Sequence, residues 1–211
     1  MLGSLHNDLF SQTQSKETEA LLSKANFNFS NGYYYKALDF FLELYPLDSL
    51  NAHLNNRIGI CYLYTPYQKH EAQPYLERAS QSEEINYEVH YFLGDIYHLN
   101  YQFDKAIRSY EKFAELVSGY EKNPNIIQDS KNDAKRRIQI CENAKAMYNS
   151  PTSDTIINMG ERINSSLDDY GPLISTDEEL LMFTSRRGSG VSDKKGGEGK
   201  YNEDIYESKK K

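Results

Sequence analysis

Apolar positions recur at three- and four-residue steps through roughly the first 150 residues, then fall into short runs separated by turn residues. The first pattern predicts amphipathic helices and the second predicts strands. The helical part repeats itself. Three segments share one pattern, from about Thr18 to Asp48, from Ala52 to Ser82 and from Tyr87 to Val117. Small residues Ala25, Gly59 and Gly94 mark the first helix of each copy, at spacings of 34 and 35 residues. Ala37, Ala72 and Ala106 mark the second, 35 and 34 apart, each followed four positions on by Phe41, Leu76 or Tyr110. Two antiparallel helices and two turns fill about 34 positions. The small residue lets the second helix approach the first, and the large one fills the same face a turn later.

One such hairpin cannot bury its apolar stripe alone, whereas stacked neighbours can. Beyond the third copy, Gly119 reads as a helix C-cap and Pro124 as part of a loop. A further helix is expected from about Gln128 to Tyr148, its stripe formed by Ala134, Ile138, Cys141, Ala144 and Tyr148. It reads as a cap on the last exposed hairpin. The second copy carries one extra residue, placed around Thr65-Pro66-Tyr67, where proline ends the first helix. From Pro151 the pattern changes. Thr155-Ile156-Ile157, Leu173-Ile174, Leu180 to Thr184 and Asp204-Ile205-Tyr206 read as strands. Arg186 to Tyr201, rich in Gly, Ser and Lys, reads as a flexible connection.

The third copy, with His90, Leu93, Gly94, Tyr97, Ala106, Tyr110 and Phe113, resembles the tetratricopeptide repeat. The second keeps Ile58, Gly59, Tyr62, Ala72 and Leu76, and the first keeps Ala25, Ala37 and Phe41. The fold expected is therefore mainly α. It is a tetratricopeptide-repeat α-α superhelix of three helical hairpins plus a capping helix, followed by a short, incomplete β segment. Its bounds are a disordered leader over 1–15, the repeat domain over 16–149 and the β segment with a flexible tail over 150–211.

The β segment has a resemblance of its own. Ile157-Asn158-Met159-Gly160, Ile163-Asn164-Ser165, Asp168-Asp169-Tyr170-Gly171-Pro172, Leu181 to Arg187 and Asp204-Ile205-Tyr206 look like one repeat of a WD40-like, TolB-type β-propeller. Ser175-Thr176-Asp177-Glu178 stands where that family has a Ser-Pro-Asp-Gly turn, so this turn lacks its Pro and Gly. The order of repeats, linking helix and propeller repeat resembles cell-envelope proteins of the Bacteroidetes OmpA-family kind. The resemblance implies a scaffold near the outer membrane, with a peptidoglycan-binding domain beyond the propeller. Two departures stand out: no signal peptide is read at the N-terminus, and a single repeat is too few for the roughly 4–8 blades that close a propeller. A truncated form is therefore expected, and peptidoglycan would be reached only through sequence missing from this chain. Read literally, the leaderless chain is cytoplasmic.

Composition narrows the partners. The net charge is −7, and the stretch from Ser185 onward, with 8 Lys/Arg against 5 Asp/Glu, carries +3, leaving −10 on the rest. An acidic body repels phosphate, so no nucleic acid is expected as partner. Lys209, Lys210 and Lys211 read as a solvated stub. Mean hydropathy is −0.76, and no run reaches the ~18 apolar residues of a bilayer span, so no direct membrane insertion is expected. With 18 Tyr and 9 Phe the chain is too aromatic to be generally disordered.

No catalytic or metal motif is legible. The five histidines form no His-Glu-x-x-His or Cys/His cluster, His90 falls at a packing position, and Cys61 and Cys141 read as buried small hydrophobes. Adjacent Asp168 and Asp169 suit a turn better than general acid–base work. The Ser/Gly string near Gly188 lacks the Gly-Lys-Ser/Thr of a phosphate loop, and Asn164-Ser165-Ser166 is too common a tripeptide to weigh. No cofactor and no enzymatic activity are expected. The site read from the repeat register is a concave groove lined by Asn26, Phe29, Asn56, Ile60, Tyr91, Asp95 and His98, fit for another protein or an extended peptide. A chaperone-type carboxylate clamp fits poorly, because Leu22 and Glu88 stand where lysines would be needed. Besides an envelope scaffold, a free cytoplasmic adaptor and a non-catalytic fragment of a propeller-containing enzyme fit the same residues.

Overall fold

The computed structural model describes residues 2–65, 68–188 and 201–210, with side chains from residue 16 on. The chain divides into two compact units, Met1–Pro151 and Thr152–Lys211. The first is helical. α1 (Leu2–Ser30) pairs with α2 (Tyr34–Leu44), α3 (Ala52–Tyr64) with α4 (Ala72–Ala79), and α5 (Val89–Leu99) with α6 (Phe103–Tyr120). α7 (Pro124–Asn149) lies along α6.

The small first-helix positions act as the repeat pattern requires. Gly59 and Gly94 are buried, and a methyl group added at Gly59 would stand 2.5 Å from Leu76 Cγ. The same addition at Gly94 would drive into the Tyr110 ring. Each contact joins the small residue of a first helix to the large residue of its own second helix. Ala25, Ala37, Ala72 and Ala106 are all fully buried. Three clusters form the core. One centres on Phe41, Ile58 and Cys61, the next on Leu63, Leu76, Leu93 and Ile96, and the last on Tyr110, Phe113, Ala134 and Cys141. The last shows α7 sealing the third hairpin. Both cysteines are buried and free.

Helix ends differ from the sequence reading in three places. α1 starts at Leu2, ahead of the expected Thr18, and runs through the segment read as a disordered leader. Residues 2–30 hold one glycine and no proline, so the backbone offers no stop. Gly119 does not cap α6, which continues to Tyr120. The chain leaves through extended Glu121, whose carboxylate accepts the Lys122 and Asn123 N–H groups. α7 begins at Pro124, not near Gln128, because Asn123 Oδ1 caps it by accepting from Asn125 N–H and proline suits the first helical position. Thr65 is extended, as a residue before proline should be. Pro66 and Tyr67, where the extra residue was placed, lie outside the described residues.

The second unit is an antiparallel meander of β1 (Asp169–Ile174), β2 (Leu180–Ser185) and β3 (Asp204–Lys209), with β2 central. Thr155-Ile156-Ile157, expected as a strand, is not one. It carries no strand pairing, and Ile156 is 96% exposed. An apolar run becomes a strand only with a partner for its backbone, and none among the described residues pairs with this one. β1 bulges between Tyr170 and Leu173, where Gly171 takes φ +63°. At the β1–β2 turn Glu178 takes φ 59°, a left-handed conformation that favours glycine. Ser175 compensates: its Oγ donates to Asp177 and accepts from Leu180 N–H. The segment 189–200, read as flexible, lies outside the described residues.

One arginine organises this sheet. Arg187 donates to Asp169, to Ser185 Oγ and to the carbonyls of Arg162 and Ile163, and lies over the Phe183 and Tyr206 rings. Asp169, read as a turn residue, is its ion-pair partner. It also accepts from Ser165 N–H and Oγ, tying the segment before β1 to the sheet. Leu181, Phe183 and Ile174 lie on one sheet face, beside an open cleft of about 740 Å³ shared with Met159 and Ile163. The opposite face exposes Leu173 and Ile205.

Two outcomes follow. In an ordinary helix Gly→Ala is stabilising. Gly94→Ala should instead lower stability by about 1–3 kcal/mol, because the Tyr110 ring must move, read as a fall in the helical melting temperature by circular dichroism. For Asp169, burial alone would raise the pKa, but bonds from Ser185, Arg187 and Ser165 hold it at about 2. A depressed carboxylate stabilises the fold above its ordinary pKa, and that contribution is lost as pH falls toward 2. An NMR titration should place the Asp169 midpoint near 2. Arg187→Lys should raise it, since lysine cannot reproduce the fork of donors.

Candidate partner-binding site

The first helices α1, α3 and α5 carry the residues that the repeat register assigns to a groove. They meet different fates. Asn26 is exposed. Phe29 is half-buried, edge-on to Tyr34 at 5.3 Å and to Phe41 at 6.1 Å. Asn56 is half-buried, and its Oδ1, itself buried, has no hydrogen-bond partner among the described residues. The contrast with its neighbour is sharp. Asn55, fully buried, donates to the Ser49 and Asn51 carbonyls and accepts from Arg78, which also donates to Tyr45. Ile60 is in the core at 7% exposure, packed with Leu63 and Val89, and is not offered to a partner. An apolar residue on a shared helix face follows burial before groove position.

Tyr91, Asp95 and His98 do come together, but against α7. Tyr91 donates to Asp133 at 2.7 Å, and Arg137 lies over its ring at 5.2 Å. Asp95 accepts from Tyr110 at 2.6 Å and from Arg137 at 2.9 Å. His98 Nδ1 is 3.2 Å from Cys141 Sγ. Burial pushes the Asp95 carboxyl above its usual range, more than Tyr110 and Arg137 pull it down. Asp133 is also raised by burial, yet Arg136, Tyr91 and Arg137 bring it below the usual range. The capping helix thus converts part of the expected groove into a polar joint. Its sequence signal was weak, because Asp133 and Arg137 lie on a helix outside the repeats.

Neither cysteine is set up as a nucleophile, Cys141 at this joint or Cys61 in the first core cluster. Burial raises the Cys141 thiol and pushes Cys61 up to about 12, so both favour the neutral form. Among the described residues no group of three or more His, Cys, Asp or Glu converges on a metal position.

What the first-helix face presents is an aromatic strip that the register did not name in full. Arg57 lies over Phe29 at 4.2 Å. Phe29 meets Tyr34, Tyr34 stacks on Tyr64 at 5.1 Å, and Tyr64 meets Phe92 at 6.3 Å. Phe92 in turn meets Tyr91. Tyr64 is 52% exposed near the middle of the strip. Arg57 and Phe92 are 35 residues apart, equivalent places in successive repeats, and each reaches a ring of the preceding repeat. That spacing was available to sequence reasoning. Tyr34 was not, because it reaches the strip from α2.

No family model and no curated protein matches the chain. Solved structures do. PcrH in complex with the chaperone-binding region of PopD is 14% identical at a TM-score of 0.50, the match covering 62% of this chain and 95% of that one. A type III secretion complex from Aeromonas hydrophila is 13% identical at 0.52, covering 66% and 89%. The Yersinia enterocolitica type III secretion translocator chaperone SycD is 16% identical at 0.50, covering 63% and 88%. At such identity the likeness defines the fold: a tetratricopeptide-type helical-repeat unit, here accompanied by a small three-stranded antiparallel sheet. No helix among the described residues is long and apolar enough to cross a membrane.

The joint at α7 makes a testable demand. Arg137→Ala leaves the Asp95 carboxylate, 17% exposed, without its cation. The loss at pH 7 should be about 2 kcal/mol, below the 3–5 of a fully buried pair because Arg137 is itself a third exposed. With its pKa raised further, Asp95 takes up a proton as pH falls, so the deficit should shrink in denaturant melts run from pH 7 toward 5.

Proposed function

We propose that this chain is a non-enzymatic scaffold that binds another protein, as an extended segment, on the face of α1, α3 and α5. The observation that carries the reading is the aromatic strip from Phe29 to Phe92, with Tyr64 half-exposed at its middle. Rings on a rigid face offer large contact area at little entropic cost, and they take apolar side chains of an extended peptide. Asn26 and Asn56 add amides able to pair with a peptide backbone. Support also comes from fold likeness, since PcrH binds a segment of another protein.

We place the scaffold in the cell envelope, by the resemblance of its second unit to a propeller repeat. A sheet with apolar residues on both faces, Phe183 and Ile174 on one and Leu173 and Ile205 on the other, suits packing between similar sheets. Peptidoglycan would be reached through other sequence. A free adaptor in the cytoplasm is the second reading, and fractionation of the native host separates the two. Recovery with the envelope supports the first, and recovery only in the cytosol overturns it.

Binding itself is tested by photo-crosslinking in cells. A photoreactive residue at Asn26 or Tyr64 should give discrete protein adducts, while one at exposed Tyr35 on α2 should give few. Equal adducts from both positions would count against the face proposed.

A further inference from the structure

We infer that the strip takes an acidic extended peptide, in which a carboxylate and an aromatic or large apolar side chain stand about three to four residues apart. This rests on the binding reading above and specifies the partner's chemistry. The strip joins an apolar floor to one uncommitted cation. Arg57 is exposed, its guanidinium lies over the Phe29 ring, and among the described residues it makes no hydrogen bond or ion pair. A guanidinium laid on a ring keeps its edge of N–H donors free, and that edge matches a carboxylate with two parallel bonds. Arg137, at the far end, is already committed to Asp95 and Asp133. Next to Arg57, the half-buried Asn56 side chain has its carbonyl oxygen buried and without a donor among the described residues, so recognition of the ligand rests on Arg57 and the rings.

Spacing sets the pattern of the ligand. The steps from Arg57 to Phe29, Tyr34 and Tyr64 are 4.2, 5.3 and 5.1 Å. That path turns through α1 and α2, so it sets an upper limit. Arg57 and Tyr64 both lie on α3, with about 10 Å of helical rise between them, and an extended chain at ~3.3 Å per residue covers that range in about three to four residues. A carboxylate on Arg57 therefore places a ring or large aliphatic group against Tyr64 and Phe92. The whole chain is acidic at −7, which on its own would favour a basic ligand. Local contact and net charge point in opposite directions, so ligand sign is a decisive observable.

The experiment pans a random dodecapeptide phage library on the full chain, then measures the selected peptides as fluorescein-labelled synthetics. The expected sequences carry Asp or Glu about three to five positions from Phe, Tyr, Trp or Leu. They should bind the parent chain about tenfold tighter than Arg57→Ala, and lose a similar factor when their acid is replaced by lysine. Basic or uncharged peptides that bind Arg57→Ala unchanged but lose affinity for Tyr64→Ala would overturn the acidic ligand and leave the binding face standing. No enrichment, or peptides indifferent to both substitutions, would overturn both. Arg57 and Tyr64 are exposed, so both variants should fold, and circular dichroism verifies it.

Discussion

Everything in the helical unit depends on how closely the two helices of a hairpin approach. Gly59 against Leu76 and Gly94 against Tyr110 are contacts in which a single methyl group has no room. They fix the hairpin geometry, and the geometry fixes the stack. Each hairpin then leaves an apolar stripe that only the next can cover, so the stability of one repeat resides partly in its neighbour. The three core clusters follow this logic, each drawing residues from consecutive hairpins or from α7.

The same stacking explains why the first-helix face divides in two. Toward α1 and α3, Tyr64 is exposed and Arg57 makes no hydrogen bond or ion pair among the described residues. Toward α7 the face is closed by the polar joint of Tyr91, Asp95, Asp133 and Arg137. A terminal helix must cover the last stripe without extending the solenoid. A joint that is polar as well as apolar holds that helix in one register, because each buried charge needs its particular partner. The cost is that residues with groove chemistry become structural.

The small sheet solves a different problem by related means. Three strands enclose little core, and Arg187 compensates by gathering Asp169, Ser185, two carbonyls and two rings around one guanidinium. Leu173 and Ile205 on one face and Ile174 on the other remain exposed.

The repeat period, the hairpin pairing, the close contacts at Gly59 and Gly94 and the change of character after Pro151 were all legible in the sequence. They are carried by local periodicity and by residue size. Strand identity was legible for Leu180 to Thr184 but not for Ile156-Ile157, because a strand exists only by its partner. For the binding face the register named Phe29 and Asn56, which are half-buried on the first helices, Ile60, which lies in the core, and Tyr91, Asp95 and His98, which meet α6 or α7. Those outcomes hang on which helix lies alongside, a fact of tertiary packing across some 40 residues of sequence. The sequence by itself determined that helices would stack and which positions would touch inside each hairpin. Only the tertiary structure decided which surface remained open, since exposure is set by neighbours and not by the residue itself.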